Sequence, residues 1–311
     1  MGGSWRGARD RMPPRVSFCG RWKGSVGVLL AAFSLMALRA DPMRPVRLRV
    51  LYSNSVFTSV NRNDALAALK VWIDLIGKSR GFLLETEVGS FDRLEEAEKR
   101  IQDGTVDLLV LNSMEFLQNR QAAKLDAAFV PTSDDYVLVV RRDGKVRSLG
   151  DLQGKSLILS RLGADWGRVW LDRMLAEQRL GATDEFFGMN RETENPSSAI
   201  LPVFFGKSDA AVVNRRSFTI MAELNPQLDR QLLILTNSPR IPEAVTCVHK
   251  DFAVFRKELL EGLADLHNDP KGQQLLMLFK IDKLEPCKPG GLDGARELLR
   301  LKPTIKLAGA P

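Results

Sequence analysis

The sequence predicts an α/β protein of two lobes, and three observations support this prediction. Segments with the hydrophobic spacing of strands and of helices alternate along most of the chain. The alternation pauses near Pro131 and restarts at Tyr136. Two extended segments, near 136–141 and 244–249, are placed where the chain would cross between lobes. Helices alternating with strands are typical of α/β domains, and we expect a largely parallel sheet in the first lobe.

Composition narrows the class of protein further. The 311 residues are enough for about two ordinary domains, and 44% of them are hydrophobic. Of the formal net charge of +7, residues 1–40 contribute +6, so the remaining chain is nearly neutral. A nearly neutral body has no basic surface for a nucleic acid. Fibrous, disordered and many-pass membrane proteins have other compositions.

Residues 1–40 have the layout of a secretory signal peptide. A basic stretch through Lys23 precedes an apolar run from Val26 to Leu38. This run is shorter than the ~20 residues that a membrane-spanning helix needs. We expect cleavage after Ala40, a small residue, and export of the remainder to the periplasm.

The first lobe is predicted to comprise 41–135 and 245–311. Alternating or continuous apolar runs predict its first strands at 46–52, 82–90 and 106–111. Apolar residues at helical spacing predict intervening helices from about 64 and over 91–102, the first capped by Asn61 or Asp64 and the second ended by Gly104. The chain is predicted to return with a strand over 244–252 and helices over 253–269, 270–280 and 292–301.

The second lobe is predicted to comprise 136–244. Its apolar runs predict strands at 136–141, 156–160, 210–214 and 232–236. Helices are predicted between them, at about 167–180 and 197–205.

Four turns that follow strands are the candidate ligand site. Ligands of α/β proteins gather at the carboxyl ends of strands, where helix N-termini attract anions. The candidate residues of the four turns, in chain order, are Tyr52, Ser55, Phe57 and Thr58; Asn112 and Ser113; Ser160, Arg161 and Trp166; and Asn214 and Arg215. Each also has a structural alternative. Ser113 can simply cap a helix, Arg161 can pair with Asp165, and Trp166 can be core.

The same turns offer little support for an enzyme. A catalytic nucleophile needs a base beside it, and the two histidines, His249 and His267, lie in the carboxy-terminal part, away from three of the four turns. No phosphate-binding loop, dinucleotide fingerprint or zinc-protease motif is present. We expect no cofactor and no metal site, although Cys247 with His249 has the spacing of half of one.

After removal of residues 1–40, the exported chain contains two cysteines, Cys247 and Cys287. In an oxidising compartment they can form a disulfide or remain two buried thiols, and the sequence leaves both alternatives open.

Four segments, in this order, resemble the phosphate/phosphonate-type periplasmic substrate-binding proteins of ABC transporters: FDRLEEAEKRIQDGTVDLLVLNSMEFL, SLGDLQGKSLILS, FFGKSDAAVVNRRSF and IPEAVTCVHKDF. The resemblance covers about residues 46–302. It implies a monomer with a type II periplasmic-binding fold, which closes on a small anion and delivers it to a membrane permease. A sensing role coupled to a membrane sensor, and less so an enzyme on the same fold, are the alternatives.

The third turn departs from this family. Phosphonate binders usually have a Ser/Thr-Gly cluster there, whereas this chain has a single hydroxyl at Ser160 followed by Arg161, Asp165 and Trp166. A guanidinium can hold a phosphate or carboxylate by two hydrogen bonds. If Arg161 does so, Arg161→Ala should weaken anion binding by well over tenfold.

Overall fold

A computed structural model describes residues 45–57, 61–161 and 165–300. The predicted signal peptide at 1–40 and the candidate residue Thr58 lie outside these ranges. Within them, eleven strands form two mixed sheets with helices packed against them. The two-lobed α/β fold predicted from the sequence is confirmed.

The first sheet has six strands in the order β11-β4-β10-β3-β1-β2. The strands are β1 (Val46–Ser53), β2 (Leu84–Phe91), β3 (Leu108–Asn112), β4 (Leu125–Pro131), β10 (Ala244–His249) and β11 (Leu284–Pro286). β1 pairs in parallel with β2 and β3, but β10 pairs antiparallel with β3 and β4, as does β11 with β4. The prediction of a largely parallel sheet is therefore wrong, because β10 enters from the other lobe in the reverse direction.

The second sheet has five strands in the order β7-β6-β8-β5-β9. They are β5 (Tyr136–Arg141), β6 (Ser156–Ser160), β7 (Met189–Thr193), β8 (Ala210–Asn214) and β9 (Leu232–Asn237). β6 is parallel to both β7 and β8, and β5, which lies between β8 and β9, is antiparallel to both. β5 is buried along almost its whole length, as its continuous apolar sequence indicates.

The helices in the described ranges are α1 (Arg62–Ser79), α2 (Leu94–Gln102), α3 (Ser113–Gln118), α4 (Trp166–Glu177), α5 (Thr183–Phe186), α6 (Pro196–Phe204), α7 (Arg215–Leu224), α8 (Pro226–Gln231), α9 (Arg256–Ala264), α10 (Pro270–Leu278) and α11 (Asp293–Arg300). α1 begins where the sequence predicts, because the Asn61 side chain accepts hydrogen bonds from two free N–H groups of its first turn. Its buried face packs into the core of the first lobe through Leu69, Trp72 and Ile73.

The chain crosses between the lobes slightly before the segments that the sequence indicates. The predicted crossings at 136–141 and 244–249 are strands inside the sheets, β5 and β10. The connecting segments are 132–135 and 238–243, and Asp134 and Ile241 join them through two backbone hydrogen bonds, 3.3 and 2.8 Å long. Because the crossings pair, they bring polar residues of both to the junction.

Helix α11 departs from the predicted division of the chain. The sequence prediction assigns 245–311 to the first lobe, but Ala295 and Leu298 of α11 are buried in the core of the second lobe. α11 packs against α4 there, and the Arg173 side chain of α4 bonds to Glu297. The amphipathic spacing that predicts α11 does not reveal which lobe receives its apolar face. In the described part of the chain, no helix combines the length and the apolarity needed to cross a membrane.

Both cysteines are free thiols in this structure. Cys247 lies on β10 opposite Ala127 of β4, and the backbone N–H of Cys287 bonds to Ala128 on the other side of β4. Since neighbouring strands are about 4.8 Å apart, this arrangement places the two Cα atoms about 9 to 10 Å apart, too far for a disulfide without backbone movement. Burial raises the pKa of the Cys247 thiol well above its ordinary value.

Candidate functional site

A cavity of about 210 Å³ lies at the junction of the lobes, where strand ends of both sheets meet the two crossings. Four of the sequence-predicted residues line it: Tyr52 and Ser55 from the first turn, Asn112 from the second and Asn214 from the fourth. We call this space the junction cavity. The rule that ligands gather at the carboxyl ends of strands thus brings together residues as far apart in the chain as 52 and 214.

The first two turns are held by a network of side chains at one end of the junction cavity. The Asn112 amide donates to the Ser55 hydroxyl at 2.8 Å, and the Ser53 and Ser55 hydroxyls are 2.7 Å apart. Ser53 also donates to Glu115 at 2.7 Å. Asn112 and Glu115 cap the start of α3 reciprocally, which fixes the Asn112 side chain. The polar groups of this end are therefore positioned before any ligand arrives.

Arg215 and Arg216, at the start of α7, have different surroundings. Arg215 forms three hydrogen bonds of 2.7 to 2.9 Å with the Asp135 carboxylate, which is 4% exposed. Arg216 lines the junction cavity and pairs with Asp282, at an N–O distance of 2.5 Å, while both side chains stay largely exposed. Exposed pairs of this kind are weak, so Arg216 can exchange its partner for a ligand. The sequence singles out Arg215, but Arg216 is the one that reaches the cavity.

The described residues of the third turn, 160–161 and 165–166, do not line the junction cavity. Arg161 pairs with Glu192 at 3.0 Å and with Asp165 at 3.3 Å, and its side chain is half-exposed. Ser160 is buried at the end of β6, without a hydrogen-bond partner for its hydroxyl among the described residues. The pairing of Arg161 with Asp165 is the structural alternative that the sequence left open.

Trp166 and Ser113 connect the two lobes beside the cavity. Trp166, at the start of α4, is fully buried, and its indole Nε1 donates to the Ser113 hydroxyl at 3.0 Å. The centroid of the Phe57 ring lies 5.8 Å from that of Tyr52 and 5.9 Å from that of Phe279, so the rings pack together. These three predicted site residues thus support the walls of the cavity.

We predict a measurable stability cost when the Ser113–Trp166 bond is removed. Ser113→Ala leaves the buried Trp166 N–H without an acceptor, which should lower the free energy of unfolding by about 1 to 2 kcal/mol. Urea unfolding measures this loss. Trp166→Phe and the double variant complete a cycle, and additive effects in that cycle would contradict a direct bond between the two side chains.

Glu243, on the second crossing, is a carboxyl group that the sequence analysis missed. It lines the junction cavity and accepts a hydrogen bond from the Tyr136 hydroxyl at 3.2 Å. Desolvation raises the pKa of Glu243, the hydrogen bond from Tyr136 lowers it and the nearby Asp134 raises it, and together they bring the pKa to about 7. At neutral pH a large share of Glu243 is therefore protonated and able to donate a hydrogen bond.

Several groups on the cavity wall remain available to a ligand. The side-chain oxygen of Asn214 is buried without a partner among the described residues. Burial raises the pKa of Tyr52, so its hydroxyl stays protonated. Arg216 and Lys280 supply two cationic groups, and the acidic groups on the same wall are Asp134 and the partly protonated Glu243. This set of donors and cations suits an oxyanion. In the described ranges, no cluster of three His, Cys, Asp or Glu residues could hold a metal ion.

Comparison with known proteins identifies a family for this chain. The sequence model of a family described as periplasmic substrate-binding proteins of phosphonate ABC transporters matches residues 56–290. No curated protein is similar enough to this chain to count as a relative.

Three solved structures share the fold at low sequence identity. XAC2383 from Xanthomonas citri, bound to ATP, is 16% identical with a TM-score of 0.57, covering 81% of this chain and 95% of that one. PhnD1 from Prochlorococcus marinus, in complex with methylphosphonate, is 16% identical with a TM-score of 0.54, covering 82% and 98%. A binding protein component of an ABC phosphonate transporter from Pseudomonas aeruginosa is 12% identical with a TM-score of 0.52, covering 82% and 86%.

Proposed function

Since this chain belongs to the phosphonate-type periplasmic substrate-binding proteins of ABC transporters, we propose that it captures a small phosphorus or sulfur oxyanion in the junction cavity. Binding proteins of this kind deliver their ligands to a membrane permease. The chain then acts by binding and release, without chemical change of the ligand. Residues 1–40 direct its export to the periplasm and are removed.

The observation that carries this proposal is the junction cavity itself. It lies at the junction of the lobes, beside strand ends of both sheets, and Arg216, Lys280, Tyr52 and Asn214 line it. Ligands of α/β proteins bind at such a place, and charge-assisted hydrogen bonds favour an oxyanion there. The solved structures with the same fold include one bound to ATP and one in complex with methylphosphonate, and both ligands carry phosphorus–oxygen anions.

A thermal-shift screen tests the proposal. The chain from residue 41 would be heated with phosphate, phosphite, methylphosphonate, longer alkylphosphonates, sulfate, alkylsulfonates, small carboxylates and amino acids. A ligand at a hundred times its dissociation constant should stabilise the protein by about 2.7 kcal/mol. A saturable shift with a phosphorus or sulfur oxyanion supports the proposal. Shifts with amino acids or carboxylates alone would contradict it.

We expect Arg216→Ala to weaken binding of the oxyanion found in this screen by more than tenfold, because it removes a guanidinium from the cavity wall. Calorimetric titration of both proteins measures the change. Arg161→Ala is the matched control: with its guanidinium engaged by Glu192 and Asp165, we expect its affinity to stay within about twofold of the unmodified chain. A large loss for Arg161→Ala and none for Arg216→Ala would place the anion at the third turn.

A further inference from the structure

The junction cavity continues beyond its polar residues into the interior of the first lobe. Apolar side chains of α1, α10 and β3 form this deeper part: Leu69, Trp72, Ile73, Leu275, Leu276 and Leu108. We call it the apolar chamber. It lies between the first sheet and the helices that cover it, so it is continuous with both the core and the polar end of the cavity.

The position of the apolar chamber is unusual for an unfilled space. All six side chains that define it are buried members of the first lobe's hydrophobic core. Protein cores are close-packed, and side chains that face a void lose dispersion contacts. A space in this place therefore favours an apolar occupant, and polar residues such as Arg216 and Asn112 line the same cavity.

Trp72 provides an independent observation. Its side chain is 5% exposed and lines the cavity, and its indole Nε1 has no acceptor among the described residues. A buried N–H without an acceptor is unfavourable, so this donor fits an occupant that leaves room for a water molecule beside its apolar group. The unpartnered Asn214 oxygen lies on the wall of the same cavity.

The size of the cavity limits the occupant. A cavity of about 150 Å³ with aliphatic walls holds one benzene ring. The junction cavity, at about 210 Å³, has room for a small oxyanionic group and roughly four to six carbon atoms.

On the basis of the proposed function, we propose that the ligand is amphipathic: an oxyanion at the polar end, joined to an alkyl or aryl group of about four to six carbons that enters the apolar chamber. The polar end supplies charge recognition through Arg216 and Lys280, and the chamber selects for the apolar substituent. Simple oxyanions such as phosphate and sulfate then bind more weakly, because they leave the chamber unfilled.

Titration with a homologous series tests this inference. We would measure the dissociation constants of methyl-, propyl-, butyl-, hexyl- and octylphosphonate by calorimetry. Affinity should rise about fourfold for each methylene that enters the chamber, up to about hexyl, and then stop rising. Equal affinity across the series would overturn the amphipathic ligand and leave the proposed function intact. Failure of every phosphonate, sulfonate, phosphate and sulfate to bind would overturn both.

Variants that reduce the volume of the apolar chamber test whether the alkyl group binds there or makes non-specific contacts elsewhere. Leu275→Phe enlarges a chamber residue and should lower hexylphosphonate affinity at least tenfold while leaving methylphosphonate within about twofold. Leu278→Phe, on the same helix but outside the cavity wall, is the matched control and should change neither. Leu69→Phe repeats the test from α1. Equal loss for both phosphonates, or no loss for either in folded variants, would overturn the inference.

Discussion

Glu243→Gln should make the protein more stable than the unmodified chain at pH 8. The difference in the free energy of unfolding between the two proteins should be about 2 to 3 kcal/mol larger at pH 8 than at pH 5. Burial raises the pKa of Glu243 to about 7, whereas the unfolded chain has the ordinary value near 4.5. Below pH 4.5 the group is protonated in both states. As the pH rises towards 7, the unfolded state loses this proton first, so the folded state loses stability. Gln cannot titrate and removes this loss.

Urea unfolding of both proteins at pH 5 and pH 8 measures the effect. The groups that surround Glu243 are Tyr136, which donates to it, Asp134, which raises its pKa, and Arg216 on the same cavity wall. They are the same in both proteins, so the difference between the two curves isolates Glu243. Glu96→Gln, on the exposed face of α2, serves as control. A stability difference that does not change between pH 5 and pH 8 would contradict the raised pKa.

Arg215→Ala should lower the free energy of unfolding by about 2 to 3 kcal/mol, because it leaves the buried Asp135 carboxylate without its cation. The arginine itself is 36% exposed, which places the expected cost below that of a fully buried pair. Guanidinium chloride unfolding measures the loss.

Two further variants make this result specific. Arg216→Ala, one residue on, breaks only an exposed pair with Asp282 and should cost less than about 1 kcal/mol. The double variant Asp135→Asn with Arg215→Ala removes the orphaned charge and should be more stable than Arg215→Ala alone. Equal costs for the neighbouring single variants would contradict a structural role confined to Arg215.

The sequence predicts the strands and helices with strong apolar patterns and misses the weak ones. β3 and β5 are continuously apolar and are found where predicted. β4 has two alanines in its middle and β11 has only three residues, so neither gives a clear periodic signal. α11 is predicted, but its packing on the second lobe depends on contacts with α4 that no local pattern encodes.

The cavity residues divide in the same way, into those with a local sequence signal and those without one. Tyr52, Asn112 and Asn214 follow from the rule for strand ends, because that rule needs only the local pattern. Which of Arg215 and Arg216 reaches the cavity depends on Asp135, some 80 residues earlier, because the Asp135 carboxylate binds Arg215. Glu243 and Trp72 matter through burial at the junction, which a sequence pattern does not show.

A crystal structure of the chain from residue 41 with the phosphonate that binds best tests the central claim most directly. We expect the oxyanion in the junction cavity, within hydrogen-bond distance of the Arg216 guanidinium and of Tyr52, Asn112 or Asn214. Its organic group should extend between Trp72 and Leu276. An oxyanion bound at Arg161, or at any place away from the junction cavity, would contradict the account.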